Sequence, residues 1–231
     1  MSAQKKPIRP LISREEYEEF SARAEIPYEY FGGMIWPKET PEVVFYHVED
    51  APLREADAPP FKTRGLQIVA MAGAHPNHNR IKRNVETRID EQLENSPCEV
   101  MSGDQKVHIE ASDATFLPDV VAFCEDARFS NIGGVPALQN PRVLVEILSP
   151  STAHFDEGDK WAHYQLLPSL RDYLLVSSRE IRVKHFFRAG ENQPWNERET
   201  RDEADEITLG GVPARLRVRE IYRRVHFEWA I

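Results

Sequence analysis

The sequence predicts an α/β fold, a mixed β-sheet flanked by helices. Three observations carry that prediction. Around 81–93 the apolar residues Ile81, Val85, Ile89 and Leu93 recur every four positions, as on a helix facing a sheet. Many short apolar runs of strand length lie between turn residues. One of them, 142–148, is apolar on both faces, which marks a central strand covered on both sides. A length of 231 residues suits one domain with extra elements. Such a chain buries about 70% of its unfolded surface, so it needs no disulfide or metal to fold. The domain is expected over 13–231, after a loose basic leader at 1–12 with Lys5, Lys6 and Arg9.

In chain order, Ser13 and Glu16 form a capping box that starts a helix over 14–24, with Tyr17 and Phe20 along one side. A hairpin follows over 28–36, turning at Gly32-Gly33, where paired glycines tolerate positive φ. The run 43–48 reads as a strand, and the acidic, proline-rich stretch 49–64 as a surface loop. Pro76-Asn77-His78 opens the second helix, whose Arg80, Lys82, Arg83 and Arg88 lie off the apolar stripe. Strands are expected at 99–101, 106–111, 116–124 and 142–148, then a helix over 156–167 that stops before Pro168. A strand pair over 173–176 and 181–187, strands near Ile207 and Leu216, and a short helix over 218–225 complete the chain.

Composition removes several classes. Cys98 and Cys124 make neither a disulfide framework nor a zinc thiolate cluster. The longest run without strongly polar residues, 68–74, is far short of the ~20 residues that span a bilayer. The first residues carry charge with no apolar stretch behind them, so a signal peptide is not expected. A cytoplasmic protein without membrane contact is the expectation. Lys and Arg total 29 against 38 Asp and Glu, a net charge of −9. That balance argues against nonspecific coating of nucleic acid, whose affinity comes from many Lys/Arg–phosphate contacts. It allows an enzyme that meets a phosphodiester through a local basic strip and a bound metal.

Two carboxylates stand out. Glu146 sits in the middle of the central strand, sharing a face with Leu144 and Leu148, and an ionised carboxylate there costs several kcal/mol unless a partner offsets it. Asp119 opens another apolar strand. Two such groups on neighbouring buried strands call for a cation between them, and Mg²⁺ or Mn²⁺ with oxygen ligands meets that need. The bland alternatives are a salt bridge from Glu146 to an arginine such as Arg142 or Arg171 and a turn or N-cap role for Asp119. Lys160, one helical turn after Asp156, can return over the carboxylates from the helix that follows the central strand. It then either pairs with Asp156 at i,i+4 or orients an attacking water and offsets phosphate charge. His75 and His78 form an H-x-x-H pair, but Pro76 breaks helical geometry and no third soft ligand lies near.

These residues resemble a family. Pro118-Asp119, Val145-Glu146-Ile147-Leu148-Ser149-Pro150-Ser151-Thr152, Asp156, Lys160, Tyr164 and Leu167-Pro168-Ser169-Leu170-Arg171-Asp172-Tyr173 are similar to the putative restriction endonuclease family (Uma-two type) of the PD-(D/E)xK nuclease superfamily. The likeness extends from 28–33 through 72–79 to 218–222. It implies a restriction-endonuclease-like mixed central sheet flanked by helices and metal-dependent hydrolysis of phosphodiester bonds in DNA. It implies Asp119, Glu146 and the Ile147 carbonyl as ligands of Mg²⁺ or Mn²⁺. Lys160 then replaces the superfamily lysine, since Ile147-Leu148 fills the usual Glu-x-Lys spacing. Glu29, His78 and Asp156 become accessory candidates, and a homodimer cutting both strands is expected. The chain departs from the pattern in a longer 39–64 segment. The competing expectation is a catalytically silent nuclease-fold protein used for binding or assembly. Asp119→Ala is expected to leave folding intact or improve it, because it relieves buried repulsion.

Overall fold

The computed structural model describes residues 13–23, 28–31, 33–37, 45–47, 66–68, 76–103, 105–149 and 153–229. The basic leader and most of the 39–64 segment lie outside them.

Helix α1 (Arg14–Arg23) starts on the expected capping box: the Ser13 amide donates to Glu16 Oε2 at 2.6 Å and the Glu16 amide to Ser13 Oγ at 3.2 Å. Its Tyr17 and Phe20 pack on the hairpin of β1 (Tyr28–Phe31) and β2 (Met34–Pro37), which turns through Gly33 at φ 75°. Strand β3 (Phe45–His47) pairs with β4 (Leu66–Ile68). Helix α2 (Pro76–Leu93) buries the expected stripe of Ile81, Val85, Ile89 and Leu93.

Strands β5 (Cys98–Ser102), β6 (Lys106–Ile109), β7 (Ala114–Phe116), β8 (Val120–Cys124), β9 (Phe129–Ile132), β10 (Val135–Leu138) and β11 (Val143–Leu148) follow. Helix α3 (Ala153–Phe155) then runs through a π-helical stretch, Asp156–Lys160, into α4 (Trp161–Tyr164). Strands β12 (Asp172–Ser177), β13 (Val183–Phe187), β14 (Asn196–Thr200), β15 (Glu206–Thr208) and β16 (Arg215–Arg217) lead to α5 (Val218–Ile221).

The larger strands form two mixed six-stranded sheets, ordered β2-β1-β7-β6-β10-β9 and β14-β13-β12-β11-β8-β5. Pairs β6/β10 and β11/β12 are parallel. A core of Phe116, Leu144, Leu148, Tyr164, Tyr173 and their neighbours fills the space between the sheets. The opposite face of the second sheet packs Val120, Val143, Val145 and Ile147 against α2 and α5. The central strand is therefore covered on both faces, as its sequence requires.

Four local differences stand out, the first three with a physical reason. The run expected as one strand over 116–124 is two, because Leu117-Pro118-Asp119 carries the chain from the first sheet to the second at a proline with no amide to give a ladder. The β9–β10 hairpin turns at Gly133 and Gly134, φ 62° and 78°, and its signal was the same glycine pair that marked the first hairpin. Strand β14 is a polar edge strand, with no apolar alternation to reveal it. The expected 156–167 helix begins three residues earlier, at Ala153.

Cys98 and Cys124 give no framework, yet they oppose each other across β5 and β8 and are joined by a disulfide. Among the described residues no helix is long and apolar enough to cross a membrane.

Candidate active site

Glu146 lies fourth in β11, and the strand's period of two turns it toward the core between the sheets, beside Leu144 and Leu148. Its Oε1 accepts the Tyr164 hydroxyl at 3.1 Å and sits 2.8 Å from Lys160 Nζ. Lys160 comes from the π-helical stretch, with Asp156 at its first residue. Single-turn π insertions re-aim side chains and recur at functional sites. Here the stretch turns both inward, and Lys160 Nζ lies 3.4 Å from Asp156 Oδ1.

Glu29, on β1 of the other sheet, completes the cluster. Its Oε1 lies 2.7 Å from Lys160 Nζ and accepts the Leu117 amide at 3.1 Å. The ammonium thus faces three carboxylates from three elements. Asp119 sits beside it at the sheet crossover. Its Oδ2 accepts the Ile147 amide at 2.8 Å and lies 3.2 Å from His78 Nε2, which α2 delivers from the opposite side of the sheet. That bond ties Asp119 to the residue after Glu146. Every one of these side chains is buried, from 0% exposed at Glu29 to 9% at His78.

All six candidate residues therefore gather in one place. The bland alternatives for Glu146 fail, since Arg142 pairs with Asp126 and Arg171 donates to main-chain carbonyls. Asp119 caps no helix; it sits at the bend before β8, as the turn reading had it, and its side chain braces the central strand. For Lys160 both readings hold in part, because it meets Asp156 at i,i+4 and the two glutamates at shorter range.

Sequence reasoning assigned no role to Tyr164. Positions 156, 160 and 164 repeat every four residues, and that spacing was the available signal. Tyr173 also belongs, donating its hydroxyl to the Asp156 carbonyl at 3.0 Å. Another buried acid, Asp172, stands apart. Its carboxylate takes His185 at 2.8 Å and the Gly210 and Gly211 amides at 3.2 and 2.7 Å, a saturated structural knot.

Burial pushes the Glu146 carboxyl up to about 8; Lys160 opposes the shift, and Asp156, Asp119 and Glu29 reinforce it. Burial alone would lower Lys160, but Glu146, Glu29 and Asp156 together outweigh it and hold the ammonium well above its ordinary value. Burial, then the same carboxylates, raises Tyr164 far up, so its hydroxyl stays a donor. Lysine is thus charged and cannot serve as a general base.

Four carboxyls face one ammonium and one imidazole, so the cluster carries surplus negative charge even with His78 protonated. Hard oxygen donors with that surplus fit Mg²⁺ or Mn²⁺. Among the described residues no three acid, histidine or cysteine side chains already converge as metal ligands. An ion here would rest on two carboxylates and a main-chain carbonyl.

A family model described as "Uma2: Putative restriction endonuclease" matches residues 64–219. Two Synechocystis sp. proteins described as uncharacterized, sll1609 and slr1290, are similar to the chain. The first is 33% identical over 127 residues, covering 55% of this chain and 71% of that protein. The second is 30% identical over 176 residues, covering 75% and 73%. A crystal structure described as a putative nuclease belonging to DUF820, from Anabaena variabilis, shares the fold at a TM-score of 0.59 and 13% identity, over 95% of this chain and 99% of that one.

Proposed function

The chain belongs to the Uma2 putative restriction endonuclease family, and from that premise we propose that it is a metal-dependent endonuclease hydrolysing phosphodiester bonds in DNA. The observation that carries this reading is the meeting of Lys160 with Glu146 at 2.8 Å, beside an Asp119 bonded to the Ile147 amide. Three side chains distant in sequence join hard acidic donors to one fixed positive charge, the combination phosphoryl transfer uses.

Asp119, Glu146 and the Ile147 carbonyl would hold Mg²⁺ or Mn²⁺. When bound, such an ion supplies a water of lowered pKa and polarises the phosphate. The protein's own groups do the rest. The Ile147 amide holds Asp119 in place, while Lys160 and Tyr164 hold Glu146 through Oε1. Lys160, kept charged by its three acids, offsets the charge that grows on the phosphate. His78, against Asp119, orients that carboxylate and can relay a proton. Glu29 and Asp156 position the lysine. A cytoplasmic homodimer cutting both strands completes the reading.

A second reading, a catalytically silent nuclease-fold protein, is favoured by one observation: no member of the cluster exceeds 9% exposure. Nicking of supercoiled plasmid with Mg²⁺ or Mn²⁺, by wild type and by Glu146→Gln, separates the two. The nuclease reading expects a loss of roughly a hundredfold or more in the variant, the scale of losing a principal charge-handling group. Equal nicking by both proteins, or none by either, favours the silent protein.

A further inference from the structure

We propose that the arginine-lined cleft between α2 and the turn after α5 grips the phosphodiester backbone of a polynucleotide. The cleft has a volume of about 470 Å³ and is walled by Arg80, Arg83, Arg223, Arg224 and His226, with Asn84 at its floor. Four guanidinium groups gather there in a chain of net charge −9. Elsewhere arginines are commonly neutralised: the half-buried Arg88 and Arg142 and the exposed Arg201, Arg215 and Arg217 each pair with a carboxylate. Among the described residues no carboxylate pairs with Arg83, Arg223 or Arg224. Three neighbouring guanidinium groups without a carboxylate partner, those of Arg83, Arg223 and Arg224, mark a site for an outside anion.

The cleft is built in advance. Asn84 Nδ2 donates to the Ile221 and Arg223 carbonyls, both at 2.9 Å. Asn77 Nδ2 donates to the His226 carbonyl at 2.8 Å, and Asn77 Oδ1 accepts the His226 amide at 3.2 Å. Two asparagines, two helical turns apart, thus hold the tail on α2. Between them Arg224 takes φ 61°, a conformation L side chains rarely adopt. His226 Nδ1 also lies 3.4 Å from Glu228 at the rim, so the guanidinium groups carry the attraction.

A backbone suits this cleft better than a mononucleotide. Its described lining offers no Phe, Tyr or Trp on which a base would stack. The helix that carries Arg80 and Arg83 also brings His78 to Asp119. The inference rests on the nuclease reading for its ligand, and binding without cleavage tests it separately.

The test is fluorescence anisotropy of a labelled 30-base-pair DNA duplex with the full chain in EDTA. Arg83→Ala/Arg224→Ala should weaken binding about tenfold at ~50 mM salt and reduce the log K against log [salt] slope by about 2. Lysine at both positions should restore the slope, and Arg215→Ala/Arg217→Ala should bind as wild type. An unchanged affinity in the double variant, an equal loss in the control, or no duplex binding by wild type overturns the proposal. So does displacement of the duplex by equimolar inorganic phosphate, which would make the cleft a small-anion site. Intact duplex binding with no plasmid nicking would sink the nuclease reading and leave the cleft standing.

Discussion

Lys160 Nζ lies 2.7 Å from Glu29 Oε1, a contact that joins the helix after the central strand to the first hairpin, on the other sheet. One ammonium thereby ties the two sheets at the point where the carboxylates converge. Its removal has consequences that can be measured.

Lys160→Met leaves Glu29, Glu146 and Asp156 facing one another without their shared cation. Breaking a buried ion pair from one side costs about 3–5 kcal/mol. We expect a loss of that size in urea unfolding at pH 8 in EDTA, with Lys160→Arg recovering part of it. A variant as stable as wild type would mean that the lysine is not what holds the carboxylates together.

The elevated Glu146 carboxyl fixes a pH dependence. Its folded pKa, about 8, exceeds the ordinary 4.5, so between these values the native state holds a proton that the unfolded chain has released. Glu146 therefore makes stability fall as pH rises from 4.5 to about 8, then level off. The difference between wild type and Glu146→Gln, followed by denaturation across pH 5–9 in EDTA, should display that slope. A flat difference removes the claim that Glu146 is protonated in the metal-free fold.

The same proton competes with a cation. Half-saturating Mn²⁺ in calorimetric titration should decrease as pH rises from 6 to 8, with proton release on binding. Binding that ignores pH, or survives in Asp119→Asn/Glu146→Gln, would place the ion elsewhere.

Asp119→Ala was expected to leave folding intact or improve it. The Ile147 amide donates to Oδ2 of Asp119, which gives reason against that expectation. Truncation orphans a buried donor and costs about 1–3 kcal/mol. Asp119→Asn keeps an acceptor for that amide, so it should be the more stable variant while losing nicking as fully. Equal stability of the two substitutions would show that the amide finds another partner.

Tyr164→Phe deletes one hydroxyl from the core and one donor from Glu146. Hydrogen bonds to charged groups contribute about 1.5–3 kcal/mol and neutral ones about 1. A drop of about 1–2 kcal/mol is expected, smaller at pH 5 than at pH 9, because the ionised carboxylate gains more from the donor than the neutral carboxyl does.

Much of the architecture was legible because burial leaves a periodic trace. The α2 stripe, the capping box at Ser13 and the two-sided apolar strand around Glu146 each reappear as read. Features without such a trace were not: the polar β14, the division of 116–124 at Pro118, and the cross-strand pairing of Cys98 with Cys124. The cluster was partly legible, since a carboxylate in an apolar strand is anomalous by itself. Lys160 was legible as a residue able to return over the carboxylates, but Glu29 entered only through the family resemblance, because it looks like any hairpin glutamate until another sheet closes over it.

Sequence by itself determined which elements form and which acids are out of place, since periodicity and the cost of burying charge are local properties. Only the tertiary structure decided which cation answers those acids, and that Asp119 braces β11 rather than capping a helix. It also decided that arginines from both halves of the chain line one cleft. Electrostatic partnership depends on distance in space, and distance in space follows from how two sheets pack, not from spacing along the chain.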